Sequence, residues 1–233
     1  MSEIFTLTNR SSILSVDFSN PIRLNHEYEY GLALIGFHSY NTIPNIGEGV
    51  KFYYSNNNNK PSEIPIPSGA YEITDISDYL NNKLNVSGED QFFLRPNSNT
   101  LKCEIFHRDY DIDFRAANSL GKLLGFSPRI LKAGQIHESD LPVNIVKVRT
   151  IRVDCNITAG AYYNEKPAHT LYEFPIAVDP GFAIDERPQN LLYLPVNRRE
   201  ISNITLKILD QDSDLINFRG EEIIVRLELK RWS

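Results

Sequence analysis

Cysteine is scarce in this sequence. The chain of 233 residues contains two cysteines, Cys103 and Cys155, and neither belongs to a paired Cys/His motif of the zinc-binding type. Two cysteines are too few for the disulfide framework of a small secreted domain. We therefore predict that both are small buried hydrophobic residues of a protein kept in a reducing compartment.

Clusters of positive charge and long apolar runs are missing as well. The chain has 24 Lys+Arg against 30 Asp+Glu, a net charge of −6, and no cluster of basic residues. Proteins that coat nucleic acids or membrane surfaces need local positive charge, so neither partner is expected. No window approaches the ~18 uninterrupted apolar residues of a membrane span, and the first ten residues do not resemble a signal peptide. We expect neither membrane insertion nor secretion.

The motifs of common enzyme chemistry are also absent. There is no Gly-x-Ser-x-Gly elbow for a nucleophilic serine, and Gly47 and Gly49 lack the rest of a nucleotide-binding loop. The histidines are scattered and form no His-x-x-x-His pair: His26, His38, His107, His137 and His169. The sequence therefore predicts a protein that is not an enzyme, with no catalytic residue, no cofactor, no metal ion and no small-molecule substrate.

One acidic stretch resembles a calcium loop. From Asp210 to Glu221, carboxylates occupy the first, third, fifth and twelfth positions of such a loop. However, Leu215 stands at the sixth position, where the sharp turn requires glycine, and the flanking residues have the pattern of strands instead of helices. We favour a polar connection whose Asp and Ser side chains bond their own backbone, with ion binding as the open alternative.

Short apolar or alternating runs dominate the remainder of the chain, separated by Asn, Asp, Gly, Pro and Ser, which is typical of a β protein. In residues 222–231 the polar Arg226, Glu228 and Lys230 alternate with apolar residues, which predicts an antiparallel strand with one buried and one solvated face. The predicted strands cover residues 4–7, 13–18, 28–39, 50–54, 68–73, 92–95, 100–106, 112–114, 145–156, 170–178, 191–196, 204–210 and 222–231.

Two segments have helical character. Residues 74–84, with Thr74 as N-cap, carry apolar residues at helical spacing, and residues 119–124 precede Gly125, a common helix C-terminal residue. Long loops are predicted at residues 55–61, which are rich in Asn, at 127–142 and at 156–169. No repeat or shift of composition marks a boundary, so we expect one all-β domain over residues 1–233.

Four stretches, in one order along the chain, resemble a known family. They are residues 21–37 with 40–46, residues 66–81, residues 119–126, and residues 201–212 with 218–229. Together they are similar to the minor capsid (penton) proteins of Polinton/Maverick elements and related adintoviruses. The similarity covers most of the chain.

This resemblance implies a single jelly-roll sandwich of antiparallel strands with one or two short helices. It further implies a homopentamer at the five-fold vertices of an icosahedral shell, whose partner is a double jelly-roll major capsid protein. The protein would then be part of the virion, assembled in the cytoplasm or nucleus of the host cell. The family pattern marks core strands and turns, so the interface residues are unknown. We expect subunit contacts along loop-rich flanks, and fewer on the polar face of residues 222–231.

Two other functional classes share this architecture. A carbohydrate- or receptor-binding jelly roll, in a copy retained by a host genome, would use the Asn-rich loop as a shallow site. A cupin-like enzyme would need His and Glu ligands that converge inside the barrel.

Overall fold

The computed structural model describes residues 2–55, 61–145, 147–163 and 165–232. The Asn-rich segment of the predicted loop at 55–61 lies outside these residues. The chain forms two compact units. One, which we call the host unit, comprises Met1–Ile43 and Val148–Ser233, and the other, the inserted unit, comprises Pro44–Lys147. The prediction of one domain over residues 1–233 stays a prediction.

The elements follow one another along the chain in three groups. Before the insertion the host unit contributes β1 (Ser2–Asn9), β2 (Ile13–Arg23) and β3 (Glu29–Tyr40). The inserted unit contains β4 (Lys51–Ser55), β5 (Ser62–Pro65), α1 (Ile73–Leu84), β6 (Phe92–Asn97), β7 (Lys102–His107), β8 (Asp111–Asp113), α2 (Gly121–Leu124), β9 (Ile130–Leu131) and β10 (Ile136–Glu138). The host unit then adds β11 (Thr150–Cys155), β12 (Ala161–Tyr163), β13 (Lys166–Ala168), β14 (Thr170–Pro175), β15 (Ala183–Glu186), β16 (Leu194–Pro195), β17 (Glu200–Leu209) and β18 (Ile223–Trp232).

Two antiparallel sheets build the host unit. The first sheet has the order β1-β18-β3-β15, with β16 also paired to β3, and the second sheet has the order β14-β11-β17-β2. Along the chain, successive long strands mostly switch from one sheet to the other, which is the winding of a jelly roll. The prediction of an all-β jelly roll with antiparallel strands and short helices is therefore confirmed. The inserted unit enters this winding between β3 and β11.

The core of the host unit consists of the apolar side chains that alternate along these strands. On β18 every second residue is buried: Ile223, Val225, Leu227 and Leu229. Phe37 of β3 packs against Phe174 of β14 and against Phe218, with ring centroids 5.2 and 6.3 Å apart. Burial of each large apolar side chain contributes roughly 1.5–3 kcal/mol, so period-two patterning selects this sandwich.

The inserted unit has its own apolar core beneath α1, α2 and two small sheets. The N-cap of helix α1 lies two residues before Thr74, the expected N-cap. Glu72 is the N-cap, and its backbone N–H donates to the carboxylate of Asp75 at 2.9 Å in a capping box. Helix α2 ends as predicted, with Gly125 in the left-handed conformation. Among the described residues, no helix is long and apolar enough to cross a membrane.

Several strand predictions need correction. Residues 68–73 form no strand, and in the described structure only Gly69 bridges to Ile46. The strand nearby is β5. The sequence did not predict it, because Pro61 precedes it and Pro65 is its last residue, and proline is rare in strands. Strands β9, β10, β12 and β13 lie inside the predicted loops at 127–142 and 156–169, and β15 lies between predicted strands. They span two to four residues each, too few for a period-two pattern to show.

Candidate functional site

Among residues 2–55, 61–145, 147–163 and 165–232, no group of three or more His, Cys, Asp or Glu side chains could hold a metal ion. In the described part of the host unit, the buried polar side chains include no His or Glu, the ligands that a cupin-like enzyme needs. The expected lack of a catalytic, cofactor or metal site stays a prediction.

The acidic stretch from Asp210 to Glu221 is organised by Asp210. Its buried carboxylate oxygen Oδ1 accepts the backbone N–H groups of Asp212 and Asp214, both at 2.9 Å. The backbone N–H of Asp210 in turn donates to the carbonyl oxygen of Asp214 at 2.9 Å. This stretch is therefore a polar connection that bonds its own backbone, as favoured from the sequence.

Both cysteines are buried in apolar surroundings. Cys103 is 0% exposed and Cys155 is 1% exposed, and both are free thiols. Burial raises the pKa of Cys103 to about 12 and that of Cys155 to about 11. The prediction of small buried hydrophobic residues is confirmed for both.

We expect neither thiol to react while the protein is folded. A thiolate is the reactive form, and burial disfavours it as well as blocking access. Iodoacetamide at neutral pH should leave both thiols free, whereas two equivalents should add in denaturant, counted by mass spectrometry. Rapid modification of the native chain would show that one of these side chains opens to solvent.

His107 is a buried histidine of the inserted unit. Its ring nitrogen Nδ1 accepts the backbone N–H groups of Asp109 at 3.1 Å and Tyr110 at 3.0 Å. In the described structure its Nε2 has no hydrogen-bond partner. Burial lowers the pKa of His107 below its usual 6.5, although the nearby Asp109 acts in the opposite direction. The neutral ring is therefore the folded form.

Acid should destabilise the protein through His107. Below about pH 6.5 the unfolded chain takes up a proton that the folded ring resists, so stability falls as the pH falls. His107→Asn keeps an acceptor for the two backbone N–H groups without titrating. We expect the wild type to lose up to about 2 kcal/mol more than this variant between pH 7 and about pH 5. Urea unfolding at both pH values measures the difference, and identical pH dependence would contradict it.

On the outer face of the first sheet, Tyr193, which precedes β16, contacts side chains of β18. Arg226 and Lys230 are exposed there, as predicted, but Glu228 is half-buried. The hydroxyl of Tyr193 donates to Oε2 of Glu228 at 2.6 Å, and Nζ of Lys230 lies 5.3 Å from the centre of the Tyr193 ring. Burial and the Glu228 carboxylate raise the pKa of Tyr193 to about 12. The chain next to β16 is therefore fixed on this face.

Two exposed leucines precede this anchor. Leu191 and Leu192 lie in an irregular segment, and Leu192 is 61% exposed. The sequence predicts a strand over residues 191–196, but only Leu194–Pro195 forms one, paired with β3. The sequence does indicate this difference: the residues between Pro188 and Pro195 do not alternate between apolar and polar, as a half-buried strand would. The leucines are thus held in solvent by a fixed loop.

The outer face of the second sheet is polar and internally bonded. The side-chain amide of Asn203 donates to Oδ1 of Asp17 at 2.8 Å and to the hydroxyl of Ser15 at 3.0 Å. Thr205 donates to Oδ1 of Asn203 at 2.8 Å, and the amide of Asn156 donates to the same oxygen at 3.1 Å. The two outer faces of the jelly roll therefore differ in chemistry. One presents exposed leucines and cations, and the other presents amides and hydroxyls.

Comparisons with known proteins give one informative result. No family model matches the chain, and no curated protein sequence matches it. Among solved structures, the crystal structure of the selenomethionine-labelled mavirus penton protein is similar, with a TM-score of 0.54. The two sequences are 13% identical, and the match covers 100% of both chains. At this identity the likeness shows the fold.

Proposed function

We propose that this chain is a structural subunit of an icosahedral virus shell, a penton protein that forms homopentamers at the five-fold vertices. Its partner in the shell is a double jelly-roll major capsid protein, and the whole chain, residues 1–233, acts as one subunit of the virion. The observation that carries this proposal is the fold match between this chain and the mavirus penton protein, which covers 100% of both chains. The sequence resemblance to penton proteins of Polinton/Maverick elements and adintoviruses supports it.

The two outer faces of the jelly roll suit a closed ring. In a pentamer each subunit contacts its two neighbours through two different patches, so the patches need to be complementary and unlike. The exposed Leu191 and Leu192 beside the first sheet and the polar network on the second sheet are unlike in this way. We place one side of the subunit contact at Leu191 and Leu192, in agreement with the expectation of contacts along loop-rich flanks.

The solution mass of the purified chain tests the pentamer. Light scattering should give about five times the 26.7 kDa of one chain, and negative stain should show rings. A stable ring needs interfaces on the order of 2,000 Å² each. If the chain stays at the mass of one subunit, both alone and when co-expressed with the major capsid protein, the proposal is wrong.

A pair of variants tests the position of the contact. Leu191→Asp combined with Leu192→Asp places two carboxylates in the proposed apolar contact, so the mass should fall to that of one subunit while circular dichroism stays unchanged. Leu101→Asp is the matched control, because Leu101 is 68% exposed and belongs to the inserted unit. If the pentamer persists after the double substitution, the subunit contact lies at other residues, and the ring itself is not contradicted.

A further inference from the structure

A pocket of about 380 Å³ opens on the host unit beside β11 and β17. This volume lies at the small end of ligand pockets and suits one monosaccharide-sized molecule. Seven polar side chains line it: Asp154, Asn156, His169, Asn197, Arg198, Thr205 and Lys207. Asn156 and Thr205 also belong to the polar network on the outer face of the second sheet.

The walls of this pocket are fixed by the buried residue Thr158. Its carbonyl oxygen lies 2.8 Å from Nδ1 of His169 and accepts the side-chain amide of Asn197 at 3.5 Å. The backbone N–H of Asn197 donates to the carbonyl of Ile157 at 3.0 Å, and that of Cys155 donates to the carbonyl of His169 at 2.8 Å. Both side chains are therefore held in place without a ligand, which lowers the entropy cost of binding.

The positive charge of the pocket is not neutralised within the chain. Among the described residues, the side chains of Arg198 and Lys207 form neither an ion pair nor a hydrogen bond. One oxygen of the Asp154 carboxylate, Oδ1, is already engaged, since it accepts the hydroxyl of Thr170 at 2.9 Å and lies 3.3 Å from Nε of Arg152. Two free cations thus share one small pocket on a chain whose net charge is −6. Such a pair attracts an oxyanion.

The remaining groups accept hydrogen bonds. A carbonyl oxygen only accepts, so Nδ1 of His169 carries the hydrogen and donates to Thr158, and in this tautomer Nε2 is an acceptor. The free carboxylate lone pairs of Asp154 and the side-chain oxygen of Asn197 are further acceptors. These groups suit ligand hydroxyls. The Asp154 carboxylate also disfavours a doubly charged phosphate, because like charges repel.

We propose that this pocket binds a sugar acid, that is, a monosaccharide unit with one carboxylate and several hydroxyls. The carboxylate lies against Arg198 and Lys207, and hydroxyls donate to His169 and Asp154. A single chain forms the whole pocket, so this inference does not rest on the proposed pentamer. An open pocket of this size and polarity predicts weak binding, with a Kd of about 1 mM for a single residue.

Saturation-transfer NMR on the full chain, with glucuronate as the probe, tests the proposal. Glucuronate should give a saturable signal, and glucose, which lacks the carboxylate, should give at least tenfold less at equal concentration. Arg198→Gln combined with Lys207→Gln should weaken glucuronate binding at least tenfold. The matched control is Arg226→Gln combined with Lys230→Gln, which removes two exposed cations from the first sheet and should leave binding unchanged.

Several results would overturn the proposal. These are the absence of any glucuronate signal, an equal signal from glucose, and equal loss of binding in the control variant. Inorganic phosphate is the remaining arm. If inorganic phosphate displaces glucuronate at equal concentration, the pocket binds anions by charge alone and the assignment to a sugar acid is wrong. A thermal unfolding curve for each variant confirms that a lost signal does not reflect lost folding.

Discussion

Phe37→Ala is expected to lower the free energy of unfolding of the host unit by about 3–5 kcal/mol. Phe37 is 1% exposed and lies between the two sheets, where it packs against Phe174 and Phe218. Truncation removes the buried ring, leaves a cavity and breaks two aromatic contacts. For a chain of this length the loss corresponds to a fall in Tm of roughly 6–20 °C. Urea unfolding followed by circular dichroism measures it.

Tyr40→Ala is the matched control on the same strand. Tyr40 also ends in an aromatic ring, but it is 46% exposed, so its truncation should cost less than about 1 kcal/mol. If the two variants lose equal stability, the ring of Phe37 does not lie in the core between the sheets.

Gly125→Ala should lower the stability of the inserted unit by roughly 3 kcal/mol. Gly125 follows α2 with φ of 82°, a conformation that costs a residue with a side chain about 1 kcal/mol. In addition, a methyl group at this position would overlap the carbonyl oxygen of Leu141. The backbone would therefore have to move. This movement would disturb the hydrogen bonds that the carbonyl of Gly125 accepts from the N–H groups of Asp140 and Leu141, both at 3.0 Å.

Gly134→Ala separates the two contributions. Gly134 also has a positive φ, 73°, but the nearest atom to an added methyl group is 3.9 Å away. This variant should therefore lose only the conformational term, about 1 kcal/mol. Chemical denaturation of both variants gives the difference. Equal losses would mean that the backbone at Leu141 yields to the methyl group at no cost.

Features set by local pattern could be predicted from the sequence. The alternation of residues 222–231 predicts β18 and its buried face, because one residue in two must enter the core. The end of α2 follows from Gly125, since glycine adopts a left-handed backbone at little cost. The two buried cysteines follow from their small number and their lack of Cys or His partners.

Features set by distant contacts could not be predicted. The start of α1 is a local exception: by residue type Glu72 is a poorer N-cap than Thr74, and it prevails because Asp75, three residues later, completes the capping box. No local signal separates the host unit from the inserted unit, since both alternate apolar and polar residues in the same way. The pocket beside β11 combines residues from Asp154 to Lys207, so its geometry exists only after the second sheet has formed.

The pairing of β1 with β18 has a consequence for how the chain matures during translation. Residue 2 pairs with residue 230, and β18 lies between β1 and β3 in the first sheet. During synthesis β1 and β3 therefore leave the ribosome long before β18, the strand that pairs with both. Until then the edges that pair with β18 have no partner. The inserted unit draws all of its elements from one continuous stretch, so it can complete its core while the rest is still being made. We therefore expect the inserted unit to fold before the host unit.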